Sequence, residues 1–165
     1  MFRGIVFINI KTKTMDHTKE TIEILNDLIL INNDRIAGYE RALEELEEGE
    51  DDLKMQFKGM IDESREARIS LGKEVQVLGG EMAEGTMNTG KIYRVWMDLK
   101  AMFTGHDRHS VLSNCEAGED AAQKAYKSAL EEEHLPGFLR EMITEQQHNL
   151  KFSHDEIKSL RDQTA

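Results

Sequence analysis

The sequence predicts an all-α protein built as a bundle of four long helices. Three observations carry this. Apolar residues recur at helical spacing through four stretches of about 25 residues each. Turn chemistry gathers at the ends of those stretches, at Glu48-Gly49, Gly79-Gly80, Gly105 to Asp107 and Pro136-Gly137. One proline in the chain and 6% aromatic residues sit badly with a β-sandwich and well with long helices.

The first stretch, segment A, runs from about Lys19 to Leu46. Thr18 offers an entry hydroxyl and Glu48-Gly49 an exit. Segment B runs from about Asp52 to Leu78. Asp51 and Asp52 favour its N-terminus through the helix dipole, and Gly79-Gly80 stops it. Segment C runs from about Arg108 to Glu132 with Asp107 as N-cap, and segment D from about Gly137 to Arg161 with Pro136 at its start. The A–B and C–D connections are short, so each pair forms an antiparallel hairpin. The B–C connection, Gly79 to Asp107, is long. Ile92, Val95, Trp96, Leu99, Met102 and Phe103 repeat there at helical spacing, which predicts a short fifth helix on a crossover. Two hairpins joined by one long crossover is the ferritin-like arrangement.

Residues 1–14 read differently. Gly4 to Ile10 is a short apolar, β-branched run, too short to span a bilayer and followed by no small-residue cleavage site. These residues are expected to form an N-terminal arm, disordered or docked, or an extension ahead of a start at Met15. The bundle domain is then 15–165.

The length, 165 residues, suits one domain with a real core. Lys and Arg total 21 against 32 Asp and Glu, a net charge of -11. That balance argues against sequence-independent nucleic-acid binding, which needs clustered cations, and against docking on anionic lipid. Cys115 is the single cysteine, and no Cys/His cluster has zinc spacing. No other run reaches membrane length, so a cytoplasmic protein is expected. Its partner would be another protein or a second copy of itself, with no nucleic acid and no membrane.

The chain also reads as two halves. Tyr39, Ala42 and Leu43 match Tyr126, Ala129 and Leu130 at an offset of 87. Beyond that, Asn26-Asp27-Leu28 followed by Asn33-Asp34-Arg35-Ile36-Ala37-Gly38-Tyr39-Glu40-Arg41-Ala42 resembles a family of uncharacterised bacterial four-helix-bundle proteins grouped with the ferritin-like superfamily. Cys115-Glu116-Ala117-Gly118-Glu119-Asp120 with Tyr126, Ser64-Arg65 and His154-Asp155 resemble its recurring pieces. The resemblance covers about Asp16 to Asp162. It implies the bundle fold and, through the superfamily, a link to stress. It implies no established activity.

Di-iron bundles take one Glu from each of two helices and Glu-x-x-His from each of the other two. Segment D holds Glu145-Gln146-Gln147-His148, but segment B has Glu63-Ser64-Arg65-Glu66, without the His. Segment C supplies Glu116 and Glu119, while segment A has Asn32 at the position equivalent to Glu119. Facing argues further against a centre. The apolar stripe of segment D is Leu139, Met142, Ile143, Leu150, Ile157 and Leu160, centred on Gln146. His148 then lies about 200° from that centre, and Glu145 about 100°. Glu66 is equally off the stripe of segment B. No catalytic residue, metal or cofactor is therefore favoured. Iron or manganese held by Glu63, Glu66, Glu116, Glu119, Glu145 and His148 is the alternative. His106 and His109, either side of Asp107, read as loop polarity rather than a surface metal clip. His154, about 80° from the stripe centre, reads as half-buried and bonded to a neighbour.

The same periodicity places four polar residues inside apolar stripes: Asn32, Ser64, Glu119 and Gln146. Each is near the middle of its helix, which predicts a polar layer across the bundle. A buried carboxylate there needs a partner, and Arg35 and Arg68 lie close enough to their stripes to reach inward. The layer reads as a register-fixing device, with a degenerate metal pocket or small-ligand site as the other reading. Met55, Met60, Met82, Met87, Met97, Met102 and Met142 read as core filler rather than a partner groove, and Trp96 and Phe103 as pins for the crossover helix. The function class expected is a structural or interaction bundle. The alternative is a metal-binding ferritin-like protein that oxidises or stores iron or manganese.

Overall fold

In a computed structural model, which describes residues 3–85 and 105–164, every regular element is a helix: α1 (Arg3–Glu45), α2 (Asp51–Val77), α3 (Arg108–Leu130) and α4 (Gly137–Gln163). The expected fifth helix, with Trp96 and Phe103, lies outside the described residues. Among the described residues, no helix is long and apolar enough to cross a membrane.

The first helix differs from expectation. It starts at Arg3 rather than near Lys19, so residues 3–14 lie within the helix. Nothing between Ile10 and Lys19 breaks a helix; there is no Gly or Pro. Thr18 accordingly caps nothing: its hydroxyl donates back to the Thr14 carbonyl at 3.0 Å, from within the helix.

The other ends follow their chemistry. α2 closes in a Schellman arrangement, with Gly80 N–H donating to Val75 O at 2.9 Å and Gly79 N–H to Gln76 O at 3.0 Å. Gly79 stands at φ 83°, where a side chain would be strained. Asp107 caps α3, accepting from Ser110 N at 3.1 Å and from the Ser110 hydroxyl at 2.7 Å. Pro136 is the N-cap of α4, and its carbonyl receives Arg140 N–H at 2.9 Å.

Helix α1 packs against α2 and α3, and α3 against α4. The α2–α4 side is joined by polar contacts, among them Gln56 to Glu156 at 3.4 Å. The start of the crossover is tied to α1. Asn26 donates to Glu81 O at 3.0 Å and accepts from Ala83 N at 2.8 Å, and Asn33 donates to Gly85 O at 2.7 Å. Asn26 and Asn33 share one face of α1, being seven residues apart, so residues 81–85 run along that helix.

The apolar core falls into two halves. One holds Leu25, Leu28, Ile29, Leu71, Val75, Tyr126, Leu139, Ile143 and Leu150 with their neighbours. The other holds Ile36, Tyr39, Leu53, Phe57, Ile61, Val111, Leu112, Cys115 and Ile157. On each helix the boundary between the halves is polar: Asn32 to Arg35, Glu63-Ser64, Glu116 to Glu119, and Ser153.

Candidate functional site

At this boundary one side chain organises the others. Arg35 of α1 is 7% exposed and Glu119 of α3 is 1% exposed. Arg35 Nε donates to Glu119 Oε1 at 2.9 Å, and Nη2 lies 2.8 Å from the same oxygen. Nη1 donates to the Ser64 hydroxyl at 2.8 Å and to Met60 O at 3.1 Å, both on α2. Nη2 also donates to Glu63 Oε2 at 3.0 Å, and that oxygen accepts from the Ser153 hydroxyl of α4 at 2.9 Å. One guanidinium thus joins α1, α2 and α3, and Glu63 extends the network to α4. Arginine suits the place because its planar fork can serve several acceptors and stays charged when buried.

Tyr39 completes the cluster by donating to Glu119 Oε1 at 2.5 Å. Glu119 Oε2 and Asn32 Oδ1 are buried without a hydrogen-bond partner among the described residues. Burial pushes the Glu119 carboxyl above its ordinary value, against the pull of Arg35 and the bonds from Arg35 and Tyr39. Burial works against charge on Arg35 too, but Glu119, Tyr39 and Glu63 outweigh it and hold the guanidinium above its ordinary value. Burial, then Glu119, raise the Tyr39 hydroxyl and the Cys115 thiol, so neither is a ready nucleophile.

A second, neutral chain lies beside the first. Asn32 Nδ2 donates to Leu28 O and to the Tyr126 hydroxyl, each at 2.8 Å, and Tyr126 donates to Gln146 Oε1 at 2.8 Å. The two chains mirror each other. Tyr39 of α1 bonds Glu119 of α3, and Tyr126 of α3 bonds Asn32 of α1, with both pairs of equivalent positions offset by 87.

The four expected layer residues therefore divide. Ser64 and Glu119 meet through Arg35, while Asn32 and Gln146 meet through Tyr126. Gln146 is half-buried among residues of one apolar half, and Ser153 takes the boundary position on α4. Arg68 bonds Asn33 Oδ1 at 3.0 Å rather than Glu119. Sequence reasoning missed Ser153, although it shares a stripe with Leu150 and Ile157. It also missed Tyr39, whose hydroxyl was hidden behind its place in that of α1.

The residues considered for a di-metal centre do not come together. Glu66, Glu145 and His148 are exposed. Glu116 is paired with Arg161 away from the Arg35 network. Only Glu63 and Glu119 reach that network, and both are bonded to Arg35. The donor set does not fit two metal ions, because a permanent cation already sits between the carboxylates. His106 pairs with Glu45, and His109 Nδ1 lies 3.0 Å from the Thr164 hydroxyl.

Among the described residues, fold and site together define four helices with a buried ionic network between two apolar half-cores. The chain belongs to the family described as a domain of unknown function (DUF2383), whose model matches residues 20–132. That span includes Arg35, Tyr39, Glu63, Ser64 and Glu119 and ends before Ser153. No curated protein matches the chain.

Proposed function

We propose that this protein is a structural or interaction module of the cytoplasm. Its buried network holds four helices in one register, and its outer faces meet a protein partner or a second copy. The observation that carries this reading is the position of Arg35, whose charge answers both Glu119 and Glu63 at the level where a ferritin-like carrier would hold metal. Register control is the best-attested use of such buried polar groups. A link to stress rests on the superfamily likeness alone.

The test is reconstitution with Fe²⁺ or Mn²⁺, followed by desalting and elemental analysis of wild type, Glu63→Gln and Glu119→Gln. Metal content unchanged by either substitution is the expected result. Two equivalents per chain that vanish with Glu63→Gln or Glu119→Gln would overturn the reading and establish the ferritin-like metal carrier instead.

A further inference from the structure

Away from the Arg35 network, α3 and α4 bring a different set of ligating groups together. Glu116 and Asp120 stand one turn apart on α3 and so share a face. His154 reaches them from α4. One oxygen from each carboxylate and one imidazole nitrogen lie within 4.8 Å of one another. His154 Nε2 is 2.7 Å from Asp120 Oδ1. Its other nitrogen, Nδ1, is 3.0 Å from Asp155 Oδ1, and Lys151 holds Asp155 through both oxygens at 3.1 and 2.8 Å.

The arrangement has the parts of a metal site. Metal-binding histidines commonly give their second ring nitrogen to a carboxylate, which fixes the ring and leaves the first nitrogen for the ion. Asp155 stands in that place, outside the three ligands. Glu116 is buried and the His154 side chain is 16% exposed, whereas Asp120 is exposed. The cluster is walled by protein on one side and open to water on the other, which leaves room for solvent ligands. Zinc-to-ligand bonds of about 2.0–2.2 Å at tetrahedral angles hold two donors roughly 3.3–3.6 Å apart. The separation present therefore needs only a small movement, which exposed Asp120 can supply. Arg161 opposes binding, since it donates to Glu116 Oε2 and to Asp162 Oδ1.

We propose that Glu116, Asp120 and His154 form a site for one divalent transition-metal ion, bridging α3 and α4 at the rim of the bundle. One imidazole with two carboxylates suits Zn²⁺, Co²⁺ or Mn²⁺ rather than soft Cu⁺. The site shares no residue with the Arg35 network, so it stands or falls independently of the proposed function. Without an ion, the same groups make an ordinary His–Asp clasp between two helices, and the experiment separates the two.

Calorimetric titration of the full chain with Zn²⁺, and with Co²⁺ followed by visible absorption, should show one saturable equivalent at pH 7. Binding should also raise the melting temperature with metal concentration. Asp120→Asn and His154→Gln should each weaken binding at least about 10-fold. Asp155→Asn, which touches no ion, should weaken it by about 10–100-fold. Arg161→Ala should tighten it by releasing Glu116, and His148→Ala should leave it unchanged. No saturable binding by wild type overturns the proposal, as does wild-type affinity in a folded His154→Gln. Should His154→Gln fail to fold, wild-type affinity in Asp120→Asn, a change at an exposed residue, overturns it equally.

Discussion

Replacing Arg35 with Met removes the one cation of the buried network while keeping a long apolar stem. Four oxygen acceptors lose a donor at once: Glu119 Oε1, Glu63 Oε2, the Ser64 hydroxyl and Met60 O. Water cannot replace it where Glu119 is 1% exposed. Glu63, with a side chain 26% exposed, recovers part of its solvation. Breaking a buried pair by removing one partner costs about 3–5 kcal/mol. For a chain of this size that lowers the melting temperature by roughly 6–20 °C. The loss must also depend on pH. Burial already raises the Glu119 carboxyl above its ordinary value with Arg35 present, and without Arg35 it rises further. A group whose folded-state value lies above its unfolded one gains stability as pH falls through the folded value. The deficit of Arg35→Met should therefore be largest at pH 8 and shrink toward pH 5, leaving about 1 kcal/mol for each of the two neutral acceptors, the Ser64 hydroxyl and Met60 O. Adding Glu119→Gln to Arg35→Met should recover part of the loss at pH 7, because the stranded charge goes with it. Urea denaturation of both variants across pH 5 to 8 measures this. A loss below about 1 kcal/mol at pH 7, or a deficit that is flat with pH, would refute the ion-pair account.

Two further predictions concern the neutral chain and the caps. Tyr126→Phe removes the hydroxyl that joins Asn32 to Gln146 at a fully buried position; urea unfolding should show a loss of about 1–3 kcal/mol that does not vary between pH 5 and 8. Asp107→Ala should lower the melting temperature at neutral pH by uncapping α3. Bonds from Ser110 hold the Asp107 carboxyl below its ordinary value, so its contribution is present above the unfolded value and lost as pH falls through the folded one; melting curves of variant and wild type should converge in acid.

Helical periodicity made the facing of most residues legible. Asn32, Ser64 and Glu119 are buried, and Glu145 and His148 are exposed, because the 100° step per residue fixes which side chains share an apolar stripe. Periodicity does not fix the level of one helix against another. That depends on the stagger of each hairpin, so Gln146, central in its own stripe, stands beside Tyr126 while Ser153 takes the boundary place. Nor does facing limit a long side chain. Glu63 lies off the stripe of α2 yet extends to Arg35, keeping part of itself in solvent as amphipathic side chains do. The start of α1 departs from the sequence expectation for a different reason. A threonine hydroxyl reads as a cap only where the helix has a cause to begin, and residues 11–18 give it none.

The two halves of the chain answer the same steric problem with different electrostatics. At equivalent positions a tyrosine of one hairpin meets a polar residue of the other, Tyr39 with Glu119 and Tyr126 with Asn32. The carboxylate needs a cation and Arg35 supplies it. The amide needs none, and Ala122 stands where the offset of 87 would put a second arginine. Two identical neutral pairs would oppose a slip of one helical turn, which moves a helix by about 5.4 Å, with apolar packing and neutral hydrogen bonds alone. With one ionic pair, the same slip carries Glu119 beyond reach of Arg35 and strands two buried charges, whereas the apolar half-cores either side could repack. The asymmetry thus places the strongest constraint on register at the level where the two hairpins join. It does so with a cation drawn from the chain itself, whose guanidinium both Glu119 and Glu63 share.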